Sequence, residues 1–136
     1  MNPTEAKMQS QVRQSKYYTA IVSELQTLGH ATNTQLLAAL QRSYPTLSAT
    51  TVHRATARLA QRGDIATAPP DSSGAMRYDT HTTPHDHFQC AQCGKLRDID
   101  IVDHIRPFLE AATDGCIPTG RLTISGSCTT CKGGKS

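Results

Sequence analysis

Five cysteines and six histidines in 136 residues are where this sequence carries its chemistry. Four of the cysteines form two C-x2-C pairs, Cys90-Ala-Gln-Cys93 and Cys128-Thr-Thr-Cys131. Each pair can grip one edge of a tetrahedron through two thiolates, so the four together suit a single zinc ion. With all four donors sulfur, no coordination position is left for water, and such a site staples structure and does not catalyse. Gly94 directly follows the first pair and lets backbone amides turn toward the sulfurs, in the manner of a zinc knuckle. Two disulfides or redox dithiols are the competing reading, and they suit a cytoplasmic chain poorly. Cys116 is left over and is assigned no task.

A second constellation uses nitrogen and oxygen. His85-Asp86-His87 precedes the first cysteine pair on an alternating stretch, which sends both imidazoles to one side and Asp86 to the other. Two imidazoles on one face are half of a metal site. Asp79 and Asp98, on neighbouring predicted strands, are available to extend it. A mixed imidazole and carboxylate set suits Fe(II), Mn(II) or Zn(II) in five or six coordination. His30 lies between two predicted helices, and spacing alone gives it no place in that set; a lone histidine at a helix end is more often a cap or a surface residue.

Helices and strands must position these groups. Tyr17, Ile21, Leu25 and Leu28 recur at spacings of three and four and predict one apolar helical stripe ending at Gly29. A second helix starts at Thr32, a capping residue, and carries Leu36, Leu37 and Leu40 before Pro45 stops it. A third follows the N-cap Ser48, turns Val52, Ala55 and Leu59 inward, and ends at Gly63. Its outer face then shows Thr50, His53, Arg54, Ala57, Arg58 and Gln61, the mixture of donors, guanidiniums and small groups that a recognition helix offers a major groove. Ile65–Ala68, a Pro-Pro-Asp-Ser-Ser-Gly turn and Met76–Thr80 read as a hairpin. Three helices and a hairpin make a winged helix, although a small helical bundle with a solvent-facing pair of arginines fits the helices equally.

Charge agrees with the winged helix. The chain carries a net +3, but residues 1–70 hold seven bases and three acids while residues 71–136 hold seven bases and eight acids. No carboxylate occurs from Leu25 to Gly63, and such a segment attracts polyanions. Beyond a linker at 81–84, the predicted strands are His87–Ala91, Leu96–Ile101 and Arg121–Ser127, with Leu122 and Ile124 of the last on one face, and a helix covers Val102–Ala112. The expected class is therefore α+β: a winged helix over 1–80, a hinge over 81–84, and a small α/β dimerisation domain over 85–136 that needs its four-cysteine zinc site as a staple. With no run of about 18 apolar residues and no signal-peptide pattern, the expectation is a cytoplasmic protein without a membrane partner.

Taken together, Gly29-His30-Ala31-Thr32, Ser48-Ala49-Thr50-Thr51-Val52-His53-Arg54, Arg77-Tyr78-Asp79, the block from His85 to Lys95, and Gly126-Ser127-Cys128-Thr129-Thr130-Cys131 resemble the ferric uptake regulator family over roughly residues 10–132. The resemblance implies a homodimeric, metal-dependent transcriptional repressor, not an enzyme, with an N-terminal DNA-binding domain and a C-terminal dimerisation domain. It implies that Cys90, Cys93, Cys128 and Cys131 hold structural Zn2+, and that His30, Asp79, His85, His87 and Asp98 hold a regulatory Fe2+ or Mn2+. His30 enters the set only by this route. On a double-stranded operator, Thr50, Thr51, His53 and Arg54 would read bases, with Arg58 and Lys16 on phosphates.

Aspartates at 79 and 98 are most similar to the peroxide-responsive repressors of the family. That branch implies peroxide sensing through oxidation of a histidine ligand, His30 or His85, when iron is bound; apart from the metal ion, hydrogen peroxide would then be the one small molecule of interest. The alternative is an iron-, zinc- or manganese-responsive regulator without peroxide chemistry. Two unrelated readings stay open: a zinc enzyme with His85, His87 and Asp98 as an open site and Asp79 as base, and a zinc-ribbon module that binds protein. His53 departs from the family, whose recognition helix nearly always has Tyr there; Thr119 and Gly120 stand where many members place a further histidine, and Asp64 replaces an expected apolar residue.

Overall fold

The computed structural model describes residues 3–134, and for 5–15, 133 and 134 it describes the backbone alone, so the outermost residues of the two expected domains lie outside it. The chain divides into two compact units, Met1–Thr82 and Thr83–Ser136.

The first unit runs α1 (Pro3–Leu28), β1 (His30–Thr32), α2 (Asn33–Leu40), α3 (Ala49–Gln61), β2 (Ala66–Ala68) and β3 (Arg77–Asp79). Ile21, Leu25, Leu36, Val52 and Ala55 are fully buried and form the centre of its core, with Leu40, Leu47, Leu59, Ile65 and Tyr78 around them. The helix starts follow local chemistry. Thr32 accepts from the Gln35 backbone while the Gln35 side chain accepts from the Thr32 N–H, a complete capping box at the start of α2. Ser48 caps α3 by accepting from Thr51 N. Gly29 and Gly63, at φ of 83° and 81°, supply the left-handed residues that end α1 and turn the chain after α3.

The expected stripe on α1 needs correction: Leu28 is 44% exposed, and the next core side chain is Ala31. The helix ends at Leu28, and the chain turns directly into β1, a three-residue strand too short for any periodicity to announce. β1 pairs antiparallel with β3, which pairs with β2, so the wing is a three-stranded sheet of order β1-β3-β2.

The second unit contains β4 (Asp86–Cys90), β5 (Leu96–Ile99), α4 (Val102–Ala112), β6 (Thr123–Gly126) and α5 (Thr129–Gly134). Its sheet has the order β5-β4-β6, with β4 antiparallel to β5 and parallel to β6. The last strand is shorter than expected, and Leu122 and Ile124 do not form a buried face: Leu122 is half-buried and Ile124 exposed. Sequence gives no sign of α5, because Thr-Thr-Cys-Lys-Gly-Gly has no apolar period. Among the described residues of this unit only Cys90, Leu96 and Val102 are buried hydrophobics. So small an apolar core is below what a unit of some fifty residues needs to fold on burial alone. Something besides an apolar core must hold this unit together.

Candidate metal centres and nucleic-acid face

The first candidate is the cysteine cluster. Parallel pairing of β4 with β6 sets Cys90 opposite Gly126, which brings the end of β4 beside the chain entering Cys128. One sulfur from each of Cys90, Cys93, Cys128 and Cys131 lies within 4.8 Å of all the others. Zinc–sulfur bonds of about 2.3 Å make a tetrahedral edge of about 3.8 Å, and Cys93 Sγ lies 3.7 Å from Cys128 Sγ. Three backbone amides are already turned on the sulfurs: Cys93 N and Cys128 N donate to Cys90 Sγ, and Cys131 N to Cys128 Sγ, each at 3.4 Å. The amides of Cys93 and Cys128 outweigh burial and draw the Cys90 thiol down to about 6, while hydrogen bonding to the sulfurs of Cys128 and Cys90 holds the proton on Cys131 and pushes it up to about 12. Four sulfurs at this mutual distance, with amides turned on two of them, form a donor set that fits zinc, whose binding would displace the thiol protons.

The nitrogen and oxygen donors fall into two groups. In the first unit, the β1–β3 ladder sets His30 directly opposite Asp79, with Nε2 3.2 Å from Oδ2. Asp79 is buried, and its other oxygen accepts from His81 N at 2.9 Å. In the second unit, the β4–β5 ladder pairs His87 with Asp98, with Nε2 3.4 Å from Oδ1. His85 stacks beside His87 at a ring separation of 4.5 Å, and its Nε2 lies 3.1 Å from the same Asp98 oxygen.

The tautomer of His85 is informative. Its Nδ1 lies 2.7 Å from the Thr83 carbonyl, an acceptor only, so Nδ1 carries the proton. A neutral His85 then aims the Nε2 lone pair at a carboxylate oxygen. Two acceptors at that distance repel unless a cation sits with them, either a second proton or a metal. Ligand bonds of about 2.1 Å place adjacent donors of an octahedron about 3.0 Å apart, which matches the 3.1–3.2 Å pairs in both units.

Asp86 is what sequence reasoning missed. Alternation sends it away from the imidazoles, as expected, but it is fully buried and has work there. Its Oδ2 accepts from Ile101 N and Val102 N at 2.8 Å, and its Oδ1 from Leu122 N at 2.9 Å. It thus fills the N-terminal cap of α4, where Ile101 itself offers no side-chain acceptor. Burial pushes its carboxyl up, but those three amides and Arg121 outweigh it and hold Asp86 below the usual carboxylate range. A carboxylate on the inward face of a strand was the available signal.

On α3, Thr50, His53, Arg54, Ala57, Arg58 and Gln61 are exposed, as the expected recognition face requires. Thr51 is half-buried, and its hydroxyl lies 3.0 Å from Ser48 Oγ within the cap. Lys16 is exposed on α1 and lies over the Tyr17 ring. No described helix is long and apolar enough to cross a membrane.

Comparison with known proteins agrees with this layout. The peroxide-responsive repressor PerR of Staphylococcus saprophyticus is 28% identical over 105 residues, 76% of this chain and 70% of its own. The Campylobacter jejuni peroxide stress regulator superposes with a TM-score of 0.74 over 96% of this chain and 100% of its own, at 17% identity. A zinc uptake regulator solved with zinc and DNA covers 98% of this chain and 97% of its own, with a TM-score of 0.59 and 19% identity. At such identities these two structures establish the shared fold, a winged helix joined to a small mixed sheet. Residues 9–113 match the model of the ferric uptake regulator family, and the chain belongs to that family.

Proposed function

We propose that this protein is a homodimeric, metal-dependent DNA-binding transcriptional repressor that senses peroxide. Cys90, Cys93, Cys128 and Cys131 would hold structural zinc, and His30, Asp79, His85, His87 and Asp98 would be the ligands of an exchangeable Fe2+ or Mn2+. The observation that carries the reading is the His85 geometry, a ring whose Nδ1 lies 2.7 Å from Thr83 O and whose Nε2 lies 3.1 Å from Asp98 Oδ1, a pair that calls for a cation between its atoms. The cysteine cluster, closed by four sulfurs, would leave no open coordination position, whereas an imidazole and carboxylate set would release its ion more readily.

Bound iron supplies reducing power toward hydrogen peroxide next to the imidazoles, chemistry that manganese does not supply. With iron held there, His30 or His85 would be the ring that gains one oxygen from peroxide, whose O–O bond breaks and whose other oxygen leaves as water. An imidazole that gains oxygen loses basicity at nitrogen and ceases to be a ligand, so repression ends. Asp79 and Asp98 supply negative charge that favours a dication over a proton on the rings. The acid-free stretch through α2 and α3 and the exposed Arg54 and Arg58 support a DNA partner, and the related zinc uptake regulator is known with DNA. Phe108 and Ile117, each 74% exposed, supply apolar surface for a second copy.

Anaerobic loading with Fe2+ or Mn2+, addition of micromolar peroxide and peptide mass spectrometry test the sensor. One added oxygen at His30 or His85 with iron alone, together with loss of retardation of DNA from upstream of its own gene, is the expected result. A reversible metal response without oxidation would replace peroxide sensing by metal sensing. Equal retardation of random DNA by the metal-loaded protein would remove the regulator reading altogether.

A further inference from the structure

A small network joins the start of α2 to the outer face of α3. Asn33, the first residue of α2, accepts at Oδ1 from the Thr56 hydroxyl at 2.8 Å, and its Nδ2 lies 3.3 Å from His53 Nδ1. Thr56 is fully buried, and its hydroxyl is also 3.1 Å from Val52 O and 3.2 Å from His53 O, so one end of the amide is anchored in the core. His53 is exposed.

An amide nitrogen only donates, so His53 Nδ1 must accept, and a neutral ring then carries its proton on Nε2. The exposed face of α3 therefore presents a single uncharged N–H of fixed chemistry between Thr50 and Ala57. Among the major-groove edges, guanine offers two adjacent acceptors, N7 and O6; adenine sets an amino donor beside its N7, thymine a methyl beside its O4, and cytosine shows only an amino donor. A lone N–H donor fits guanine best.

We infer that His53 is a specificity-determining residue that reads the N7/O6 edge of one guanine in each half-site, with Asn33 as the positioning residue that sets its tautomer. The inference rests on the DNA-binding reading proposed above. Were the Asn33 amide turned over, His53 would carry its proton on Nδ1 and offer Nε2 as an acceptor, and the base read would be one with an amino group. The two arrangements predict opposite base preferences. Because the ring is neutral, His53 contributes base discrimination without salt dependence, whereas Arg58 on a phosphate contributes the reverse.

The test uses the full-length protein loaded with zinc and manganese. Preferred sites are selected from randomised duplexes, and each guanine of the selected half-site is then replaced in turn by 7-deazaguanine. One position should lose about five- to tenfold in affinity, as expected for a single specific hydrogen bond. His53→Ala should abolish that sensitivity alone, with the salt slope unchanged, and His53→Gln should move the preference at that position to adenine. Nitrogen chemical shifts of His53 should show an unprotonated Nδ1 in the wild type and mixed tautomers in Asn33→Ala, with the backbone amide spectrum of α1, α2 and α3 otherwise unchanged, which separates loss of the positioning contact from loss of structure. No guanine sensitive to the replacement, a His53-dependent preference for cytosine or adenine instead, a protonated Nδ1, or base sensitivities unaltered in His53→Ala would overturn the inference. In the last case specific binding survives and so does the regulator; if the wild type binds every duplex alike, both fall.

Discussion

Replacing Asp86 with Ala removes one carboxylate and strands three backbone amides. Val102 is buried, and Ile101 and Leu122 are each half-buried, so water cannot fully take the place of the lost oxygens. An unsatisfied buried donor costs about 1–3 kcal/mol; three would cost about 3–9 kcal/mol if all were fully buried, and because two of the three bonds are only part-buried about 3–6 kcal/mol is expected for the variant. Asp86→Asn retains one acceptor oxygen and turns an NH2 on the remaining donor or donors, so about half that loss is expected. The cost falls on the unit over 83–136, whose buried apolar side chains are few. Urea unfolding of the zinc-loaded protein, followed in parallel by far-ultraviolet dichroism and by colorimetric zinc release, resolves it. Zinc should be released at much lower urea in Asp86→Ala, in intermediate urea in Asp86→Asn, and the helical signal dominated by residues 3–61 should hardly move. Zinc release within about 1 kcal/mol of wild type in Asp86→Ala would refute the reasoning, since it would mean that the stranded amides find other partners at no cost.

Three further outcomes are expected. Stripping zinc with a strong chelator should unfold β4, β5 and β6 while α1, α2 and α3 persist, seen as loss of amide-exchange protection confined to the second unit; uniform retention would deny the cysteines a structural role. Gly126→Ala places a Cβ 3.1 and 3.3 Å from two ring carbons of Phe88 on the adjacent strand, and the displaced ring should cost about 1–2 kcal/mol in the same zinc-release assay, where Ser125→Ala, nearby but exposed, should cost nothing measurable. The Ser73 hydroxyl, then the amides of Ala75 and Ser73, hold the Asp71 carboxyl below its usual range at the tip of the wing; its contribution is therefore complete above the ordinary carboxylate value and lost as pH falls through the lowered one, so carboxyl carbon shifts should show Asp71 titrating below the ordinary value of 3.8.

Much of this was legible because it is local. Ser48 and Thr32 announce their helices through caps that the structure realises in full. Val52, Ala55 and Leu59 fall on one face because period alone decides which side of α3 is wet. The cysteines cluster as their spacing requires. What escaped depends on partners far away in sequence. β1 is three residues long and exists only because β3 lies beside it. His30 meets Asp79 through that same pairing across 49 positions, so no spacing could disclose it. Asp86 looked idle because its donors lie 15 to 36 residues onward. Asn33, unremarked as the first residue of a helix, contacts His53 twenty residues away.

These long-range dependencies converge on β4. Within five residues the strand carries Asp86, which secures α4 and the approach to β6; His87, which faces Asp98; and Cys90, on whose sulfur two amides close. It is the central strand, with β5 on one side and β6 on the other, so its register is fixed twice. A slip by one residue would exchange His87 with Asp86 or Phe88, put an imidazole where three amides need a carboxylate, and take Cys90 out of the thiol cluster. The cysteine cluster and the Asp86 bracket therefore act at opposite ends of one short strand to hold the imidazole between them in place. That division of labour explains why a unit with so few buried apolar side chains can still present nitrogen and oxygen donors at spacings fit for an exchangeable ion: the rigidity comes from thiolates and a buried carboxylate, and the imidazoles remain available to change state.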